Sequence, residues 1–304
     1  VGPLHGVPMA HKDMYYRVGE ISTCGSKIRK NFKADHTATV IERLDEAGAI
    51  HLGSLNMAEF AFGPTGHNAH WGDCRNPWNT EHITGGSSSG TGSAVAARIA
   101  FAGLGSDTGG SVRLPSALCG LTGIKPTQTR VSRYGVMGLS FSLDNVGPLA
   151  RTVQDCARIL GVIAGYDSND ATSSNMPVDQ YESFTIDPKI KGLKIGVPKN
   201  YYYDEVTVEV RDLMNASLKV YEGLGAHIIE VNVPNHEELT DFANVVMGSE
   251  AATLHGAWLS ERPNDYSDQV LARIQPGLSY PATRSLQALQ VRPKITHQFV
   301  EQVF

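Results

Sequence analysis

Apolar residues recur at helical spacing from 35 to 47, where Val40, Ile41, Leu44 and Ala47 share one face. Asp35 is the expected N-cap there and Gly48 the stop. The run Ala49-Ile50-His51-Leu52 follows at once and reads as a strand. The same order returns later in the chain. Lys194-Ile195-Gly196-Val197-Pro198 is strand-like, Val210, Leu213, Met214, Tyr221 and Leu224 share a helical face before Gly225, and His227-Ile228-Ile229-Glu230-Val231 is strand-like again. A strand, a helix and a strand in sequence argue for parallel pairing, so the fold class is α/β. A further helix is expected from Val153 to Ile163, ending near Gly165, with a polar connector over 167 to 176. The stretch from Thr84 to Thr127 differs in kind. Gly and Ser crowd 85 to 93, an Ala-rich helix is expected at 94 to 100, and a second glycine cluster at 103 to 110 reads as loop.

Composition narrows the partners. Across 304 residues, 41% are hydrophobic and 26 basic side chains stand against 31 acidic ones, a net charge of −5. That balance gives no reason to expect direct binding to nucleic acid or to an acidic membrane surface. Cys24, Cys74, Cys119 and Cys156 form no C-x-x-C, so neither a disulfide framework nor a zinc ribbon is indicated, and a reducing, cytoplasmic setting is expected. No apolar run reaches the roughly 18 residues of a membrane span. The chain reads as one domain over 1–304 and as a piece of a longer protein, because Val1 stands almost inside a motif and Phe304 follows no helix-stopping signal. A targeting element outside it, and a homodimer, are left open.

Several chemistries fail on spacing. Neither G-x-G-x-x-G nor a phosphate-binding loop ending in G-K-[ST] can be written over 85 to 110, so no nucleotide cofactor is called for. His67-Asn68-Ala69-His70 lacks an evident third metal ligand, and His236-Glu237-Glu238-Leu239-Thr240 lacks a second histidine, so no metal is expected. Gly86-Ser87-Ser88-Ser89-Gly90 does satisfy G-x-S-x-G around Ser88, but that elbow needs a buried strand before it. The residues preceding it, Asn79 to Thr84, are mostly polar.

Three segments remain together. Gly2-Pro3-Leu4-His5-Gly6-Val7-Pro8-Met9-Ala10-His11-Lys12-Asp13 ends an apolar strand on a lysine. Gly85-Gly86-Ser87-Ser88-Ser89-Gly90 comes next, then Gly105-Ser106-Asp107-Thr108-Gly109-Gly110-Ser111-Val112-Arg113. In this order they resemble the amidase signature family, as do Asn76-Pro77-Trp78 and the tract from Gly120 to Thr127. The resemblance implies a central mixed β-sheet flanked by helices and a small-molecule amide as substrate. It implies hydrolysis of a carboxamide by Ser111 as nucleophile, Ser87 as proton relay and Lys12 as base, and a cis peptide bond between Gly86 and Ser87 that places the Ser87 hydroxyl between the other two.

Elementary chemistry agrees. An unperturbed lysine titrates near 10.4 and is no base at neutral pH, so burial must lower it, and the apolar approach from Gly6 to Ala10 favours burial. Hydrogen bonds from serines rather than a carboxylate would keep Lys12 neutral, while strand alternation turns Asp13 away. The amides of Thr108, Gly109, Gly110 and Ser111 are the expected oxyanion hole. Asp107 and Arg113 are expected to hold the nucleophile loop, and Ala61 and Phe62 are candidates for the acyl pocket. His11 stands where the family has an aliphatic residue, and Ser89 and Thr91 where it more often has Gly and Ser. The alternative within the family is the glutaminase component of a tRNA-dependent amidotransferase, its A subunit, resembled at Val131-Ser132-Arg133-Tyr134-Gly135 and Ser142-Leu143-Asp144. The tract Ser249 to Trp258 departs from that glutaminase and favours a stand-alone amidase. A non-enzymatic binding protein on the same fold is the third reading, disfavoured because all three reactive side chains are present.

Overall fold

The structure, a computed structural model, describes residues 1–186 and 189–304. Packing divides it into two compact units where the sequence suggests one domain. The first comprises Val1–Thr185 and Glu250–Ser279, the second Ile186–Ser249 and Tyr280–Phe304.

In the first unit the strands are β1 (Pro8–Lys12), β2 (Ile50–Leu55), β3 (Arg75–Asn76), β4 (Asn79–Ile83), β5 (Ala102–Asp107), β6 (Thr122–Gly123) and β7 (Asn145–Ala150). The helices are α1 (Thr39–Glu46), α2 (Ser89–Ala96), α3 (Arg113–Leu118) and α4 (Val153–Ile163), followed by the short α5 (Ser183–Ile186). Five strands form one mixed sheet in the order β2-β1-β5-β7-β6. β1 runs parallel to β2 and β5, whereas β7 is antiparallel to β5 and β6. β3 and β4 make a separate antiparallel hairpin. The sheet centre is dry, since every residue of β5 and β7 is buried.

β5 corrects the sequence reading, which took 103 to 110 as loop. Its glycines serve close approach. A Cβ on Gly103 would lie 2.2 Å from the Ala10 carbonyl oxygen, and one on Gly105 would lie 2.5 Å from Ser88 Oγ. Small residues let β1, β5 and α2 pack at backbone distance, and a strand without large apolar side chains gives no alternation to detect. For the same reason α2 starts at Ser89, well before the expected 94, because tertiary packing overrides the low helix propensity of Ser and Gly. α1 also differs. It begins at Thr39 with Ala38 at the cap position, and Asp35 instead pairs with the neighbouring His36 ring at 2.6 Å. α4 matches its expected span, with the Thr152 hydroxyl accepting from the Asp155 N–H.

The second unit holds β8 (Lys194–Pro198), α6 (Val208–Gly223) and β9 (His227–Val231), with β8 and β9 parallel as the strand, helix, strand order predicts. α6 has no buried residue, and Val210, Leu213, Met214, Tyr221 and Leu224, expected to form its packing face, are all exposed. Of the remaining helices, α9 (Ala282–Val303) belongs to the second unit, α8 (Asp268–Ile274) to the first, and α7 (His236–Glu261) has residues in both. Among the described residues no helix is long and apolar enough to cross a membrane. All four cysteines are free thiols.

Candidate active site

β1 carries Lys12 on its last residue into the middle of the first unit, where the side chain is 1% exposed. Its Nζ donates to Ser87 Oγ at 2.6 Å and to Ser106 Oγ at 2.7 Å. Among the described residues no carboxylate hydrogen-bonds it. Burial therefore dominates and pulls the Lys12 amine down from 10.5 to about 7, against the opposing pull of Asp144, Asp107 and the Cys24 thiol. Asp13 turns the other way, as alternation requires, and accepts from the Thr23 N–H and hydroxyl. His11 adds no charge beside the lysine. It is buried, its Nδ1 accepts from the Leu104 N–H at 3.2 Å, and burial pushes its ring down to about 3.

The peptide bond between Gly86 and Ser87 is cis. Ser87 is fully buried, and its carbonyl accepts from the Ala58 N–H at 3.1 Å. The Ser111 hydroxyl, on a half-buried residue, has no hydrogen-bond partner among the described residues, so of the two links expected at Ser87 the one to Lys12 is formed and the one to Ser111 is not. Catalytic hydrogen bonds commonly close only when substrate is bound.

The nucleophile loop leaves β5 at Asp107, whose buried carboxylate accepts from the N–H groups of Gly110, Val112 and Arg113 and from the Arg113 guanidinium. Burial pushes the Asp107 carboxyl up, but the Arg113 contacts and these amides outweigh it and hold it below the usual carboxylate range. The clamp corrects one expectation. Gly110, proposed with its neighbours for the oxyanion, spends its N–H on Asp107 at 2.8 Å. Thr108, Gly109 and Ser111 remain as amides without a partner among the described residues.

Ser88 is buried with its hydroxyl donating to the Ser106 carbonyl at 3.4 Å, and all five residues of the preceding β4 are exposed, so the buried strand that an elbow needs is absent there. Ala61 and Phe62 sit on the turn following Ala58, the residue whose N–H donates to the Ser87 carbonyl. Phe62 lines a cleft of about 340 Å³ with Glu59, His67 and Asp268. Lys12's partner Ser106 lines a different one, of about 310 Å³, together with Met14, Arg133, Phe141, Asp144 and Asn145. His70 hydrogen-bonds the buried Glu59 carboxylate at 2.9 Å, and His236 hydrogen-bonds the Tyr202 hydroxyl at 2.8 Å.

Two residues escaped the sequence. Ser106 accepts a second hydrogen bond from the Lys12 amine beside the one to Ser87, and Asp144 receives the Thr108 hydroxyl at 2.5 Å. The signal for Ser106 lay in strand alternation within β5, which the glycines concealed.

A family model described as Amidase matches residues 1–301. The chain is 44% identical over 274 residues to the A subunit of glutamyl-tRNA(Gln) amidotransferase from Pseudomonas putida, an alignment covering 88% of this chain and 56% of that protein. A solved structure from a vestigial protein complex, connected with the origins of an s-triazine catabolic enzyme, superposes with a TM-score of 0.93 at 34% identity, covering 99% of this chain and 65% of that one. The A subunit of the Thermotoga maritima glutamyl-tRNA(Gln) amidotransferase superposes with a TM-score of 0.86 at 34% identity, over 99% and 66% of the two chains. The chain thus spans little more than half the length of the Pseudomonas relative.

Proposed function

The chain belongs to the amidase family, and on that premise we propose that it hydrolyses a carboxamide C–N bond through an acyl-serine at Ser111. The observation that carries this reading is the buried Lys12 amine, bound to two serine hydroxyls and, among the described residues, to no carboxylate. In its neutral form the amine accepts the Ser87 proton while Ser87 accepts that of Ser111, whose oxygen attacks the amide carbon. The carbonyl oxygen becomes an anion facing the amides of Thr108, Gly109 and Ser111. As the C–N bond breaks, the proton returns from Lys12 through Ser87 to the leaving nitrogen, and water then cleaves the acyl ester.

Treatment with a fluorophosphonate followed by peptide mass analysis is expected to place the adduct on the peptide containing Ser111, and a Ser111→Ala variant is expected to take none. An adduct on Ser88 instead would move the nucleophile to the elbow serine and sink the assignment.

A second reading is favoured by the 44% identity to the glutaminase component of an amidotransferase, against the preference for a stand-alone amidase drawn from Ser249 to Trp258. In it the amide is the side chain of glutamine, and the released ammonia passes to a partner protein that handles tRNA. Ammonia release from glutamine that rises when such a partner is added supports this reading. Turnover of simple amides at full rate without a partner supports the first.

A further inference from the structure

The nucleophile loop is held at two places by two buried carboxylates. Asp107 fixes its far side through Gly110, Val112 and Arg113. Its near side, Thr108, is tied by the hydroxyl alone, which donates to Asp144 Oδ1 at 2.5 Å. Asp144 is itself fixed, since its other oxygen accepts from the N–H groups of Leu139 and Ser140 at 2.8 and 2.9 Å. The sheet dictates this meeting. β5 and β7 pair antiparallel with Asp107 opposite Asn145, so one step past the ladder Thr108 faces Asp144. Thr108 is also the first of the three amides left free to meet an oxyanion, and its orientation depends on where its side chain is held.

We propose that Asp144 is a positioning residue for acyl transfer, acting through the Thr108 hydroxyl on the amides that receive the oxyanion. This rests on Ser111 being the nucleophile. A carboxylate suits the task because a charged acceptor makes a stronger, shorter bond than a neutral one, and a threonine held at its hydroxyl cannot rotate its amide away. The charge has a second effect. Asp144, with Asp107, faces Lys12 and opposes the fall of its titration; burial pushes the Asp144 carboxyl itself up, against the Thr108 hydroxyl, the Leu139 and Ser140 amides and Arg133, which favour its ionised form. The Cys24 thiol is itself pushed up to about 12 by burial and stays neutral near pH 7, and the buried His11 is neutral as well. Removing the Asp144 charge therefore lets Lys12 lose its proton at lower pH.

The test is the second-order rate of Ser111 phosphonylation by a fluorophosphonate, in which the Ser111 oxygen bonds to phosphorus, fluoride leaves and the serine proton passes to Lys12. Measured at pH 9, where the lysine is the free base, Thr108→Val is expected to lose about tenfold or more, less than the roughly 10²–10³ lost with a whole oxyanion donor. Thr108→Ser is expected to restore most of the rate. Asp144→Asn is expected to move the rising limb of the pH profile to lower pH, whereas Thr108→Val leaves the limb in place; a role in stability alone moves neither. If Thr108→Val reacts within twofold of the parent, if serine does not rescue it, or if the Asp144→Asn limb does not move, the proposal is overturned. Should Ser111→Ala still react, the nucleophile assignment has failed; should it be inert while Thr108→Val is unaffected, only the role of Asp144 has.

Discussion

Lys12 shows how one buried side chain sets a pH window. Its amine is displaced to about 7 because burial outweighs the nearby carboxylates. A base must be unprotonated, so amide turnover is expected to rise as pH increases through about 7 and to level off above it. Lys12→Ala is expected to lose about 10²–10⁴-fold in turnover, the range of general-base assistance, and with it the rising limb. A variant whose limb persists at the same pH would assign the titration to another group. At this scale the sequence was informative where chemistry is written in local motifs. Lys12, Ser87 and Ser111 each stand in a short glycine-framed segment and could be named from it. Ser106 and Asp144 could not, because each gains its role from a partner on another strand or loop, Lys12 across β1 and β5 and Thr108 across β5 and β7. Gly110 was legible as a residue of the loop, yet its amide was already committed to a side chain three positions earlier.

Elements built from large apolar residues at regular spacing were readable, and elements built from small ones were not. α4 and the pair β8 and β9 follow from periodicity and turn residues alone. β5 is the opposite case, a central strand of Ala, Gly, Leu, Ser and Asp whose logic is the distance to its neighbours. That logic makes a contrast between two glycines testable. Gly103→Ala would push a methyl against the Ala10 backbone, where no flexible side chain can yield, and is expected to cost about 1–3 kcal/mol as overpacking does. Gly161, inside α4, is exposed and meets nothing within 4 Å, so Gly161→Ala is expected to stabilise by about 0.4–1 kcal/mol through the unfolded chain. Urea midpoints at unchanged slope read both effects. Equal changes in the two variants would mean that the close approach of β1 and β5 is not what selects glycine at 103.

At the scale of the whole molecule the two units could not be told apart in the sequence, since no composition shift or linker marks 186 or 249 and the division lies in which residues pack together. The lysine nonetheless reaches this scale, because a group that titrates differently in the folded and unfolded chain makes global stability depend on pH. Lys12 titrates near 7 when folded and near its ordinary 10.5 when unfolded. Below about pH 7 both states hold the proton, and the folded protein bears the whole cost of a buried ammonium. Between about 7 and 10.5 the unfolded chain binds the proton and the folded one does not, so stability rises with pH across that window. Above it both are neutral and the contribution is flat. The full span is of order 5 kcal/mol. Lys12→Met, close in volume and without a charge, removes this dependence. Unfolding free energies measured from pH 6 to pH 10 are therefore expected to show the methionine variant gaining most on the parent at pH 6, with its advantage shrinking as pH rises. Curves that run parallel across the range would show that Lys12 titrates alike in both states, and that the neutral base required at Ser87 is not provided by burial.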